Sequence, residues 1–175
     1  MRRVRDVRGA TIAAHAVIAL LLVPVQATRA QGLARARPRG ELRVDYIGPH
    51  PHTLQVGGGV NLPVGPYLRV GVIGAGGVGW RDGRSAAPSA RADVVGRFAF
   101  DPFREHRWGL SAGGGLSVRY DEAGADGRRR WRALVALVID LEGARAGSIV
   151  PAVQLGLGGG LRAGVILRGA QSGYR

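Results

Sequence analysis

From Glu41 onward, apolar and polar residues alternate with a period of two, the signature of β-strands with two chemically different faces. In Arg107–Tyr120 one face reads Trp108, Leu110, Ala112, Gly114, Leu116, Val118 and Tyr120, and the other Gly109, Ser111, Gly113, Gly115, Ser117 and Arg119. Ala90–Asp101 sets Ala92, Val94, Gly96, Phe98 and Phe100 against Arg91, Asp93, Val95, Arg97 and Asp101. Glu41–Ile47 sets Leu42, Val44 and Tyr46 against Glu41, Arg43 and Asp45. Tyr67–Trp80 sets Leu68, Val70, Val72, Val78 and Trp80 against Arg69 and small residues, with Ile73 out of pattern. Arg130–Glu142 sets Trp131, Ala133, Val135, Leu137, Ile139 and Leu141 against Arg132, Asp140 and Glu142, although Leu134 and Val138 blur the contrast. From Glu41 onward no stretch reads as a convincing helix, because Gly recurs inside most of the apolar stretches and each helical Gly costs about 1 kcal/mol relative to Ala.

Ile149–Arg168 reads either as one long strand or as a hairpin turning at Gly158-Gly159-Gly160, since a three-residue loop preserves the parity. The hairpin gives eight strands, an even number that lets a barrel close and bury its edges. The expected fold class is therefore all-β, a closed up-and-down antiparallel barrel over residues 41–168. Threading the strands alternately up and down, with Glu41–Ile47 upward, sends the polar connections Arg81–Ser89 and Asp121–Arg129 to the upper side. The shorter Pro63–Pro66, Pro102–His106 and Gly143–Ser148 then lie below.

Alternation alone does not choose between a water-soluble barrel with its apolar face inward and a transmembrane barrel with that face outward. Strand length and aromatic placement favour the second. Several runs reach or exceed the roughly 9–11 residues a tilted strand needs to cross a bilayer, whereas soluble strands peak at about 5–6. The threading sends Tyr46, Trp80, Tyr120 and Trp131 to the upper rim and Phe98, Phe100 and Trp108 to the lower, as interfacial girdles require. The other face then lines a narrow lumen with Glu41, Arg43, Asp45, Arg69, Asp93, Arg97, Arg119, Arg132, Asp140, Glu142 and Arg162. Charges there are tolerable only when paired, so the expectation is an Arg–carboxylate network that plugs the interior. An anion-selective pore lined by surplus Arg is the alternative.

The N-terminus adds an address. Arg2, Arg3, Arg5 and Arg8 precede an apolar run from Ala16 to Val25, too short for a spanning helix and bounded by Pro24 and Arg29, as in a secretory signal. Cleavage after Ala27 or after Ala30 fits the small-residue rule; Ala30 is preferred, leaving Gln31–Gly40 as a linker and 169–175 as a C-terminal tail. A membrane-anchoring helix is the competing reading. Composition narrows the picture further. Gly reaches 30 residues without a triplet repeat, which excludes collagen, and 46% hydrophobic residues exceed what a disordered chain carries. There is no Cys, so disulfides and thiol chemistry are excluded. All 25 basic residues are Arg and the net charge is +13. Export, and the lack of an Arg–aromatic stripe, argue against a nucleic-acid partner. Arg81, Arg84, Arg128, Arg129 and Arg130 near the upper rim suit the phosphates of lipopolysaccharide instead.

The remaining motifs have plain readings. Gly74-Ala75-Gly76-Gly77-Val78-Gly79 spells a dinucleotide fingerprint, but a turn at Trp80-Arg81-Asp82-Gly83 follows where a helix would have to start. With Gly57–Gly59, Gly113–Gly115 and Gly158–Gly160 it reads as glycines that let a narrow barrel curve. His50-Pro51-His52 falls in a loop with no carboxylate cluster to complete a metal site. Ser111 and Ser117 face inward with no His beside them, so no catalytic residue, cofactor or metal is expected.

The signal-like segment, the mature length, rows such as Leu110–Tyr120 and the loop pattern together resemble the small eight-stranded outer-membrane β-barrel proteins of bacteria. The resemblance covers about residues 40–168 and rests on pattern, with no family-specific motif. It implies residence in the outer membrane of a diderm bacterium, contact with outer-membrane lipid and passage through the outer-membrane assembly machinery. One departure stands out: such barrels tend to finish on an aromatic residue in the last strand, whereas this chain ends Ser172-Gly173-Tyr174-Arg175.

Overall fold

The computed structural model describes residues 37–49, 51–81, 85–103, 107–121 and 130–170, with the side chain of Arg130 outside that set. The strands are β1 (Arg39–Gly48), β2 (His52–Pro63), β3 (Leu68–Trp80), β4 (Ala87–Ala99), β5 (Gly109–Asp121), β6 (Arg130–Glu142), β7 (Ile149–Leu157) and β8 (Leu161–Gly169). Each pairs antiparallel with its sequence neighbours, and β1 pairs antiparallel with β8, so the sheet closes into an eight-stranded up-and-down barrel. The hairpin reading of 149–168 holds, because Gly158, Gly159 and Gly160 all take positive φ and reverse the chain between β7 and β8.

The ladder is staggered. Paired residues lead from Ile47 to Arg162, Gly156, Val138, Gly113, Arg97, Arg69 and Pro63, and one further step along the β1–β2 register reaches residue 37. A circuit of the barrel therefore descends β1 from 47 to 37, so the strands lean steeply, by roughly 40° to the axis. At eight strands the interior is just wide enough for side chains to fill.

The pleat decides which residues fill it. Leu42, Val56, Leu116, Val135, Leu137, Ile139, Leu155 and Val165 are exposed on the outer face, while their neighbours in sequence face inward and are buried or half-buried. The out-of-pattern aliphatics of the sequence, Ile73 and Val138, keep inward parity and are buried in the lumen with Val95 and Ile166.

Some boundaries differ from expectation. β4 begins at Ala87 and not Ala90, and Phe100, Asp101 and Trp108 lie just beyond the ends of β4 and β5. As a result the lower β4–β5 connection, residues 100–108, is longer than any upper one, and the expected division into long upper and short lower loops does not hold. His52 is also not in a loop; it is the first residue of β2, paired with Trp80 of β3.

Candidate functional site

The inward face is a stack of charge layers. At the lower end, Arg168 donates to Glu41 (3.2 Å), Glu142 (2.7 Å) and Asp140 (2.5 Å) through its three guanidinium nitrogens. Arg97 Nη1 donates to Asn61 Oδ1 (2.7 Å), its Nε stands 3.0 Å from Asp140 Oδ2, and Arg69 Nη1 donates to Glu142 Oε1 (3.0 Å). In the middle, Arg43 grips Asp45 in a fork through Nε (2.7 Å) and Nη2 (2.8 Å), and its Nη1 reaches Glu41 at 3.1 Å. Gln154 accepts from Arg43 and donates to Asp140 Oδ1 (2.5 Å), tying this layer to the one below. Arg91 bonds Asp45 and lies 3.0 Å from Asp93, which also accepts from Arg162 (2.8 Å) and Ser117 (2.6 Å). At the top, Arg119 donates to Asp121 (2.9 Å), Thr53 Oγ1 (2.6 Å) and the carbonyl of Gly159 (3.2 Å), while Ser89 and Gln55 extend the chain from Asp121.

Among the described residues six guanidinium groups are buried (Arg43, Arg91, Arg97, Arg119, Arg162 and Arg168), against six buried carboxylates (Glu41, Asp45, Asp93, Asp121, Asp140 and Glu142). Balanced charge and mutual hydrogen bonding are what a desolvated interior demands. Half-buried Arg39 and Arg69 sit at the lower mouth with Asn61, Arg97 and Arg168, around a cavity of about 10 Å³. That is room for about one water.

Ten of the eleven residues read from the sequence as lumen charges are brought together here. Arg132 is not. It has inward parity, but it lies high on β6, above the end of β7, and is exposed. Period-two reasoning gives the face of a strand, whereas burial also depends on whether the opposite wall reaches the same height. The expected lumen set lacks Arg91, although the alternation puts it on the polar face, and it lacks Asp121 and Arg168, also at inward parity, and the neutral partners Gln55, Asn61 and Gln154. Parity would have found every one of them.

Aromatic side chains cluster at both ends of the barrel. At the upper end, Tyr120 and Trp131 pack at a centroid distance of 5.1 Å. His52 stacks between Tyr46 (6.0 Å) and Trp80 (6.1 Å), and Tyr46 Oη lies 2.5 Å from its Nδ1. At the lower end Phe98 stacks on Tyr67 (5.5 Å) and meets Phe100 edge-on (5.8 Å), Tyr67 meets Phe103 (6.3 Å), and Trp108 is exposed. Tyr67, Phe103 and His52 are additions that the sequence reading did not assign to a rim. Of the basic upper-rim set, Arg81 follows β3 directly and Arg130 opens β6, while Arg84, Arg128 and Arg129 lie outside the described residues.

No protein-family model matches the chain, and no curated protein sequence does. Solved structures do share its fold. The N-terminal β-barrel domain of Pseudomonas aeruginosa OprF superposes with a TM-score of 0.58 at 8% identity, over 75% of this chain and 95% of that one. Neisserial surface protein A gives 0.50 at 9% identity, over 75% of this chain and 94% of that one. At such identities the likeness is one of fold.

Proposed function

We propose that the chain is a non-enzymatic outer-membrane β-barrel with a plugged lumen, serving a structural, surface-interaction or lipid-contact role. The observation that carries this is the direction of the apolar rows. A soluble barrel holding a hydrophobic ligand requires Leu110, Leu116, Val135 and Val153 to face inward, and all four are exposed while most of the charged row is buried. Continuous exposed apolar surface between two aromatic girdles suits hydrocarbon bounded by two interfaces.

Fractionation of the expressing bacterium, followed by comparison of boiled and unboiled gel mobility, tests the proposal. Recovery in the outer membrane with heat-modifiable migration is the expected result, and recovery in the soluble periplasm overturns it. Among the described residues, the equal numbers of buried guanidinium groups and carboxylates favour a plug over an anion pore. The purified barrel should therefore be silent in planar bilayers, and discrete anion-selective conductance steps would replace the plug with the pore.

Arg81, Arg84 and Arg128–Arg130 are proposed to meet lipopolysaccharide phosphates at the upper rim. Replacing Arg128–Arg130 with Gln should weaken lipopolysaccharide association, and unchanged association removes that contact from the proposal.

A further inference from the structure

The barrel wall is not level at its upper rim. β6 pairs with β5 along its whole length, up to Arg130 opposite Asp121. β7, however, ends at Leu157 opposite Leu137, where Gly158–Gly160 turns the chain back into β8. Above that point, among the described residues, β6 has no strand on its β7 side.

Which backbone groups are left follows from the alternation of an antiparallel ladder. Gly143 N–H donates to the Pro151 carbonyl across the β6–β7 seam (2.7 Å), so odd-numbered residues of β6 aim their N–H and C=O at β7, and even-numbered ones aim at β5. The Val135 carbonyl, on the side of Gly158, and the Ala136 carbonyl, on the side of Gly114, obey the same parity. The turn screens Val135. Among the described residues, Trp131 and Ala133 thus each hold an N–H and a C=O toward an open edge.

We propose that this edge of β6 is a docking site for an extended peptide segment of alternating acidic and apolar residues, added antiparallel as a short extra strand. Strand addition supplies the main-chain partners that the edge lacks, and alternate side chains set the specificity. Residues of the added strand opposite Trp131 and Ala133 point outward, beside apolar and exposed side chains. The residue opposite Arg132 points inward, next to an exposed guanidinium that itself pairs across from Arg119. A carboxylate there gains a partner, and a basic residue meets like charge at cross-strand distance. The same Arg132 guards against self-association, since antiparallel pairing of two copies about this position would bring both Arg132 side chains together.

The test uses the full-length barrel refolded in detergent micelles, with a synthetic peptide of alternating Glu and Val and its Lys–Val counterpart as probes. Amide hydrogen exchange is read at Trp131 and Ala133, with Leu137 and Ile139 as internal references paired to β7. In the free protein Trp131 and Ala133 should exchange faster than the references. The Glu–Val peptide should slow them by at least about tenfold, a difference of about 1.4 kcal/mol, and the Lys–Val peptide should not. Arg132→Glu should invert that preference. Ala133→Pro, which deletes one edge N–H, should abolish protection while heat-modifiable mobility persists. The proposal fails if Trp131 and Ala133 are as protected as Leu137 without peptide, if neither peptide protects them, or if both do so equally.

Discussion

Leu116 offers a direct reading of what lies outside the barrel. It stands midway along β5, 67% exposed, between Val94 of β4 and Val135 of β6 on the same outer face. Replacing it with Arg leaves the lumen untouched, so the change in stability reports only the medium that the side chain enters. In hydrocarbon at mid-depth the guanidinium costs about 2–4 kcal/mol, and near an interface about 0–1. In water an exposed surface substitution stays within about 0.5 kcal/mol. Leu110 supplies the second depth: it follows Trp108 at the lower rim and is likewise exposed. Equilibrium unfolding in guanidinium chloride, from phosphatidylcholine vesicles, gives both free energies by linear extrapolation. Leu116→Arg should exceed Leu110→Arg by about 2 kcal/mol. Equal costs at the two depths, or a neutral Leu116→Arg, would refute the lipid-facing assignment whatever the fractionation showed.

Two further predictions probe the lumen by the same unfolding assay. Asp140→Ala removes a carboxylate shared by Arg168, Arg97 and Gln154 and leaves the buried cations of the lumen in excess, so it should cost about 3–5 kcal/mol. Gly113→Ala should cost about 1–3 kcal/mol, because its Cβ would overlap the Gly96 carbonyl and lie 2.8 Å from the Arg97 Cα, both in paired backbone. Gly76→Ala, with nothing within 4 Å of the added methyl, should stay within about 0.5 kcal/mol, and if the two glycines behave alike the close-approach argument is wrong.

Strand faces were legible in the sequence because period two is imposed on every residue by the pleat, so that even Ile73 and Val138 could be placed by parity against their chemistry. Heights were not. The exposure of Arg132 follows from the early end of β7, and that end is fixed by a register between strands that a single strand's pattern does not encode. Loop lengths misled for a related reason: Phe100 and Trp108 continue the alternation past the last paired residues, so the pattern outlasts the strand. The edge at Trp131 and Ala133 is the same kind of fact. It comes from the stagger of the closed ladder, which is a property of the circuit and belongs to no segment of the chain.

Several strand glycines and the buried arginines meet in one packing problem. A lumen this narrow takes long guanidinium side chains more readily where the strand beside them contributes almost no volume. The register meets that condition repeatedly: Arg43 pairs with Gly57, Arg97 with Gly113, Arg162 with Gly156, and Asp45 with Gly164. The last pair allows the idea to be tested by coupling. A methyl group at Gly164 would overlap Asp45 Oδ1, and that carboxylate is held in place by Arg43 and Arg91. Gly164→Ala should therefore cost about 1–3 kcal/mol by overpacking, and Asp45→Ala about 3–5 kcal/mol by removing the carboxylate that both Arg43 and Arg91 engage. Once Asp45 is gone the methyl occupies vacated space, so Gly164→Ala should cost little in that background. The double-mutant cycle should then show a coupling of about 1–3 kcal/mol. Strict additivity within about 0.5 kcal/mol would mean that glycine serves strand curvature alone, and that the fit between small and charged residues is incidental.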